Sequence, residues 1–226
     1  GRFIDPFRPV IEPLGFSTPE EVETLRKKHL SAVRKMFEEM DVFIFTLGLT
    51  ETWNSNIDGA VFPIAPQLLT NKLNTPNYSC KNFSAEEVRN EILGFMSALN
   101  QVNSRAHLIL TVSPVPLSFT YENRSVITST CYSKSVLRVA AGEASNVNDN
   151  ITYFPSYEVI CGNYSQKSYF EPNTRKISDE GINHVMRLFF KHFLNEKQPN
   201  SNEVYAKDPL YNIICDEDKV ELHSAP

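Results

Sequence analysis

Three short apolar runs, separated by segments of helical periodicity, constrain the fold of this chain most strongly. The runs are DVFIFTLG, HLILTVSPVP and ITYFPSYEVI, and each predicts a β-strand. The first run is continuously apolar, which is typical of a strand buried on both faces of a parallel sheet. The sequence therefore predicts an α/β protein whose parallel sheet is covered by helices on both faces.

The helical segments begin at recognisable capping residues. The first helix is predicted to start at Ser17 or Thr18, and its apolar stripe includes Leu25, His29 and Val33. The other predicted helices are NFSAEEVRNEILGFMSALNQVN, which opens with a capping box at Ser84 and Glu87, SKSVLRVAAGEAS, and SDEGINHVMRLFFKHFL with Ser178 as N-cap.

Length and charge restrict the class of protein. With 226 residues, 41% of them hydrophobic and 22% charged, the chain suits a soluble globular protein. A net charge of -5 argues against a nucleic-acid surface, and no apolar run reaches the roughly 18 residues of a membrane span. We predict one α/β domain over residues 1–197. Residues 198–226 lack periodicity and are predicted to form an extended tail with a short clasp around Leu210 to Cys215.

The cysteines and the asparagines bear on metal binding and on compartment. Cys80, Cys131, Cys161 and Cys215 lie far apart without a C-x-x-C pair, so we expect no zinc site, while one or two disulfides stay open. We also expect no cofactor. The Asn-x-Ser/Thr sequons indicate either a secreted or lumenal protein or chance in an Asn- and Ser-rich cytoplasmic chain. They are Asn77, Asn82, Asn123, Asn150 and Asn163.

Polar residues follow each apolar run, as GLTETW, TVSPVP and YFPSYE. In a parallel sheet, ligands bind beyond the carboxyl ends of the strands. We therefore expect one concavity, with Trp53 beside it, to be surrounded by Gly48 and by four of these polar residues. They are Thr50, Glu51, Ser113 and Tyr157. The alternative is that Thr50 and Glu51 only cap a turn, with Trp53 packed on its rim.

Four segments, FTLGLTETW, LTVSPVPL, YSKSVLR and YFPSYE, resemble the GSCFA family in this order. Members of that family are taken to be relatives of the SGNH/GDSL hydrolases. The resemblance implies a three-layer α/β/α sandwich, flavodoxin-like in topology. It also implies hydrolysis or transfer of an ester-linked acyl group, with a carbohydrate or another acylated small molecule as binding partner.

The resemblance also implies the parts of an active site. An SGNH enzyme uses a serine nucleophile, a histidine base oriented by an aspartate, and donors for the oxyanion. The family's serine is expected before GRFIDPFRP, on an N-terminal segment, and a protein partner is a further expectation. Gly48 and Thr50 match the block that supplies oxyanion donors, and the Thr50 hydroxyl stands where an asparagine amide is usual.

The acid–base pair departs from the family pattern. In place of Asp-x-x-His the chain reads Asn173-Thr174-Arg175-Lys176. Asparagine carries no charge, and a lysine of ordinary pKa is protonated and cannot act as a base. His29 is the remaining candidate base, and its alternative is a core histidine bonded to a backbone carbonyl. His184 is predicted to be a solvated surface residue.

The segment YSKSVLR adds the polar residues Tyr132, Ser133, Lys134 and Arg138. Lys134 and Arg138 lie one helical turn apart, so they can point together at a substrate carboxylate or phosphate. The alternative is a solvated basic face. Ser113 lacks the strand–serine–helix elbow of a nucleophile, because prolines follow it, and it is predicted to be structural.

Two functions remain open. The leading hypothesis is a GSCFA-type esterase or acyltransferase. The alternative is a non-catalytic relative that binds a glycan or joins an assembly.

Overall fold

The computed structural model describes residues 2–12, 14–66, 68, 77–162, 168–172 and 175–194. The predicted tail, Cys215, Asn163 and the pair Asn173 and Thr174 lie outside the described residues. The elements, in chain order, are α1 (Pro19–Glu39), β1 (Val42–Leu47), β2 (Glu51–Ser55), β3 (Val61–Phe62), β4 (Tyr78–Asn82), α2 (Ala85–Val102), β5 (His107–Val112), α3 (Val126–Val147), β6 (Ile151–Tyr153), α4 (Ser156–Cys161) and α5 (Asp179–Phe193).

The main sheet is parallel, with strand order β1-β5-β6. Val42 lies opposite His107, and Leu108 lies opposite Ile151. Helices flank this sheet, so the predicted α/β sandwich with a parallel sheet is confirmed. These strands run in the same direction, and their carboxyl ends therefore meet at one edge.

The third predicted strand is only partly correct. β6 ends at Tyr153, and the second half of ITYFPSYEVI forms α4 instead of continuing the strand. Pro155 explains the change, because a proline has no N–H for the strand ladder and its fixed φ suits the start of a helix. The ladder still extends to the backbone N–H of Phe154, which donates to Leu110 O.

The largest hydrophobic core lies between the sheet and the helices α2 and α3. Leu108, Leu110 and Val112 of β5 are fully buried there, against Met96 of α2 and Ala140 of α3. On the opposite face, the ring of Phe154 contacts Phe189 and Phe193 of α5. The small alanines of α3 let this helix approach the strands closely.

A second, antiparallel sheet is inserted between β1 and α2, with strand order β3-β2-β4. The sequence did not predict this strand: the polar residues after β1 continue from Glu51 to Ser55 as β2. Trp53 lies opposite Cys80 of β4 and Phe62 of β3. Polar residues dominate β2, so its strand character depends on this non-local pairing rather than on an apolar pattern.

β1 is an edge strand, and the prediction that it is buried on both faces was wrong. Val42, Ile44 and Phe45 are 50%, 51% and 43% exposed. Its outer edge pairs with no strand in the described part of the chain. Helix α1 likewise contains no buried residue among those described, and His29 is exposed on it, so the interpretation of His29 as a core histidine was also wrong.

Within the described ranges, no helix is both long and apolar enough to cross a bilayer. The same residues contain no cluster of three or more His, Cys, Asp or Glu that could hold a metal ion. Cys80, Cys131 and Cys161 are free thiols.

Candidate functional site

The turn that follows β1 is held by two buried side chains of α3. The backbone N–H of Thr50 donates to Ser133 Oγ at 2.9 Å, and Lys134 Nζ donates to the carbonyl oxygen of Gly48 at 2.8 Å. Thr50, Ser133 and Lys134 are 1%, 0% and 2% exposed. We call this arrangement the turn clamp. Because Lys134 is buried, the alternative of a solvated basic face was wrong for this residue.

Several buried polar atoms near the turn clamp have no hydrogen-bond partner among the described residues. They include Thr50 Oγ1, Thr52 Oγ1 and Asn54 Oδ1. Buried polar atoms are satisfied in most proteins, and unsatisfied ones often mark places where water, a ligand or strain contributes to function. The segment after β1, where the sequence predicts a ligand site, therefore also contains several buried polar atoms without a partner among the described residues.

The carboxyl end of β5 is tied to both of its neighbours. Ser113 N donates to Leu47 O at 2.9 Å, and Ser113 Oγ accepts from Val115 N at 3.2 Å. The hydroxyls of Thr111 and Ser156 hydrogen-bond each other, and Ser156 Oγ also donates to Val112 O at 3.2 Å. These contacts join the carboxyl end of β5 to the end of β1 and to the start of α4.

Arg138 has different partners from Lys134. Its Nε donates to Glu158, and its guanidinium carbon lies 4.1 Å from the centre of the Tyr153 ring. The Tyr153 hydroxyl donates to the same carboxylate at 2.7 Å. Burial raises the pKa of Tyr153, and its bond to Glu158 raises the pKa further. Arg138 thus contacts α4 through Glu158, while Lys134 contacts the turn after β1.

Tyr157 and Cys161 of α4 stand at the same edge of the sheet. Cys161 Sγ lies 3.9 Å from Pro114 O. Burial raises the pKa of the Cys161 thiol above its ordinary value, and the opposing effect of the Lys134 charge is smaller. Burial also raises the pKa of Tyr157, and the neighbouring Cys161 and Cys131 add to that rise.

Glu51 connects β2 to the loop after β5. Its carboxylate accepts hydrogen bonds from Thr120 Oγ1 and, at 2.9 Å, from Tyr121 N. Thr120 Oγ1 also lies 3.0 Å from Ser129 Oγ at the start of α3. The ring of Trp53 meets the ring of Tyr121 edge to face, with centres 4.9 Å apart.

An apolar cleft lies between β2, β3 and this loop, with a volume of about 90 Å³. Its wall includes Leu49, Glu51, Trp53, Phe62, Leu117 and Tyr121. The structure therefore brings Glu51 and Trp53 together in this cleft, whereas Gly48, Thr50, Ser133 and Lys134 meet in the turn clamp. Sequence reasoning did not find Leu117 or Tyr121, whose loop SPVPLSFTYE has no periodicity; its aromatic residues were the available signal.

The segment before the last helix reaches the carboxyl edge of the sheet. Arg175 Nη1 donates to Pro116 O, in the loop after β5, at 2.9 Å. Lys176 Nζ forms an ion pair with Glu171 at 2.9 Å. The stretch that replaces Asp-x-x-His is therefore close to the expected site, but its two described basic side chains bind protein groups.

Two of the described histidines form hydrogen bonds, and neither partner is a serine. His184 Nδ1 lies 2.6 Å from the hydroxyl of the buried Tyr169, so the prediction of a solvated His184 was wrong. A helical periodicity cannot reveal this contact, because Tyr169 belongs to the segment that folds back on α5. His107 Nε2 lies 2.7 Å from Thr152 Oγ1. The role of His29 as a base stays a prediction.

Tyr132 lies on α3, beside the turn clamp in sequence. Its hydroxyl donates to Phe83 O at 3.4 Å, and the Arg124 guanidinium lies 4.9 Å from its ring centre. Tyr132 thus links α3 to the segment between β4 and α2.

The model of the GSCFA family matches residues 9–189. This range includes both sheets, the turn clamp and the apolar cleft. No curated protein and no solved structure matches the chain.

Proposed function

The chain belongs to the GSCFA family, and from this premise we propose that it forms part of a site, at the carboxyl ends of β1 and β5, that hydrolyses or transfers an ester-linked acyl group. The acyl acceptor or donor is a carbohydrate or another small molecule. The observation that carries the proposal is the turn clamp, which fixes the backbone from Gly48 to Thr50 at the place where the resemblance puts the oxyanion donors.

Oxyanion stabilisation requires donors that are oriented before the reaction begins. The turn is held at both ends by almost fully buried groups, and hydrogen bonds are strong in such a low-dielectric setting. The N–H of Thr50 is already bonded to Ser133. The Thr50 hydroxyl has no partner among the described residues, and it is the group that we assign as oxyanion donor.

The nucleophile is assigned to a further strand beside β1. The ring of Phe37 in α1 contacts Phe43 and Phe95, which places α1 on the same face of the sheet as α2. The connections from β1 through α2 to β5, and through α3 to β6, step across the sheet in one direction. A right-handed connection from an earlier parallel strand through α1 therefore puts that strand on the open side of β1.

This placement accounts for two properties of β1. The exposed apolar side chains of Val42, Ile44 and Phe45 would be covered, and the unpaired edge would gain a ladder. A serine at the carboxyl end of the added strand would lie beside Gly48, as in the relatives that the sequence resembles.

The alternative function, a non-catalytic binding or structural subunit, has its own support. Arg175 and Lys176 are engaged with Pro116 and Glu171, and the described histidine contacts include no serine. No described group is thus arranged as the base of a serine hydrolase.

The test compares this chain with a version that is extended before residue 1, using p-nitrophenyl acetate and an acetylated sugar. We expect the extended version to turn over and this chain to be inert, since loss of a nucleophile–base unit costs on the order of 10⁶-fold in rate. In the extended version, Thr50→Val should lower kcat by about 10²-fold, the usual effect of one oxyanion donor.

The matched control is Thr128→Val, at an exposed threonine on α3, which should leave kcat unchanged. If both versions are inert, the proposal fails and the binding function takes its place. If Thr50→Val and Thr128→Val have the same activity, the assignment of Thr50 is wrong.

A further inference from the structure

The apolar cleft begins at the two residues that flank Thr50. Leu49 and Glu51 both line it, and the cleft continues between β2, β3 and the loop that contains Leu117 and Tyr121. A group bound in the cleft would therefore lie beside the turn clamp. This position suits one part of a substrate whose reacting carbonyl lies at Thr50.

The chemistry of the wall restricts that part to an uncharged apolar group. Both oxygens of Glu51, the charged residue in the wall, accept hydrogen bonds from Thr120 and Tyr121. Leu49, Trp53, Phe62 and Leu117 are among the apolar side chains that make up most of the remaining wall residues. Ligands are oriented by convergent polar groups where a site recognises them by hydrogen bonding. Apart from Glu51, Thr52 and Ser118 add one hydroxyl each to the wall, too few partners for the several hydroxyls of a sugar ring.

The size of the cleft restricts the length of the group. Its volume of about 90 Å³ is smaller than the ~150 Å³ of an engineered apolar cavity that binds benzene. We propose that the cleft binds the acyl chain of the ester and prefers a short apolar chain longer than acetyl. This inference rests on the proposed function, because it assigns the acyl side of the same site.

Trp53 gives a direct measure of binding, since it is the only tryptophan in the chain and lines the cleft. The experiment titrates this chain with methyl acetate, methyl butanoate, methyl hexanoate and methyl decanoate and follows tryptophan fluorescence. We expect affinity to rise about fourfold for each buried methylene, and the rise to stop once the cleft is full. Methyl glucoside is titrated in the same way, to compare a sugar with the esters.

Tyr121→Ala is the informative variant. Tyr121 is partly exposed, and its backbone N–H can still bind Glu51, so the variant widens the cleft without removing that bond. The chain length at which affinity levels off should increase in Tyr121→Ala. Phe3→Ala, at another partly exposed aromatic residue, outside the cleft wall, is the matched control and should bind like the wild type.

Fluorescence that is unchanged by all four esters overturns the inference, as does a response to methyl glucoside at lower concentration than to methyl butanoate. An affinity that rises without a limit up to decanoate overturns the assigned length. Binding with the expected limit but no turnover by any version supports this inference and contradicts the proposed function. Turnover whose rate does not depend on the length of the acyl chain supports the proposed function and contradicts this inference.

Discussion

The ammonium nitrogen of Lys134 lies 2.8 Å from the carbonyl oxygen of Gly48, across 86 positions of sequence. Lys134 is 2% exposed, and a buried ammonium group is tolerated only when it is hydrogen-bonded. The contact joins α3 to the end of β1. It therefore links the packing of the domain to the geometry of the turn on which the proposed chemistry depends.

Lys134→Ala should lower the free energy of unfolding by about 2–4 kcal/mol, because it removes this hydrogen bond and leaves a cavity. Urea denaturation measures the change. Lys35→Ala is the matched control, since the Lys35 side chain is 72% exposed, and it should stay within about 0.5 kcal/mol of the wild type. Equal stability of the two variants would show that Lys134 contributes nothing to the fold.

Replacing two helical glycines by alanine should change the stability of the protein in opposite directions. A Cβ on Gly181 would lie 2.8 Å from Tyr169 Cβ, which is too close for undistorted packing, whereas a Cβ on Gly94 meets nothing within 4 Å. Gly181→Ala should therefore destabilise the protein by about 1–3 kcal/mol despite the better helix propensity of alanine. Gly94→Ala should stabilise it by about 0.5–1 kcal/mol. Thermal unfolding measures both, and equal shifts would contradict the packing argument.

The open edge of β1 predicts self-association of this chain. Exposed edge strands with apolar side chains pair with other strands, and a charged residue on such a strand opposes this. Ile44→Lys should reduce light scattering in concentrated solution. Val147→Lys, at a residue that is 68% exposed on α3, should not. A chain that stays monomeric without any substitution would argue against an available edge.

The sequence predicted the elements whose signals are local. The apolar runs gave the three parallel strands, and the capping box at Ser84 and Glu87 starts α2 as expected. It did not predict β2, because the pairing of Trp53 with Cys80 depends on a strand far along the chain. It also predicted, wrongly, that both faces of β1 are buried, because a run of apolar residues does not show whether other elements cover the strand.

For the candidate site, the sequence predicted which strand ends lie at the same edge of the sheet. The helix that carries Ser133 and Lys134 was predicted to begin at Ser133, which was wrong, because α3 begins at Val126 and both residues lie inside it. The side-chain partners were not predictable: the pairing of Glu51 with Thr120 depends on how an irregular loop folds over β2. The cleft beside Trp53 depends on the same loop.

The pKa of Glu87 provides a test of the contact between β4 and α2. The hydrogen bond from Lys81, with those from Ser84, lowers the pKa of Glu87 to about 2. Lys81 Nζ lies 2.8 Å from the Glu87 carboxylate. Lys81→Met should return this pKa part of the way towards its ordinary value, as measured by carboxyl carbon chemical shifts across pH. An unchanged pKa would mean that the capping box alone holds the charge.

Asp5 anchors the N-terminal segment. Its side chain is 0% exposed and accepts from Phe7 N at 3.0 Å and from Arg8 Nε at 2.8 Å, with Arg26 at 3.8 Å. Burial alone would raise the pKa of Asp5. The hydrogen bonds from Arg8 and Phe7 and the two positive charges outweigh burial, so that the pKa lies below its ordinary value.

The sign of the pH dependence follows from that direction. Because the folded pKa of Asp5 is lower than the unfolded value of about 3.9, its contribution is complete above that pH and is lost as pH falls through the folded pKa. Asp5→Asn should therefore lower the free energy of unfolding by about 1–3 kcal/mol at pH 7, and by less at pH 3. Urea denaturation at both pH values measures the difference. Asp41→Asn, whose side chain is 84% exposed, should change little at either pH, and a gap for Asp5→Asn that does not shrink at pH 3 would assign its effect to packing rather than to charge.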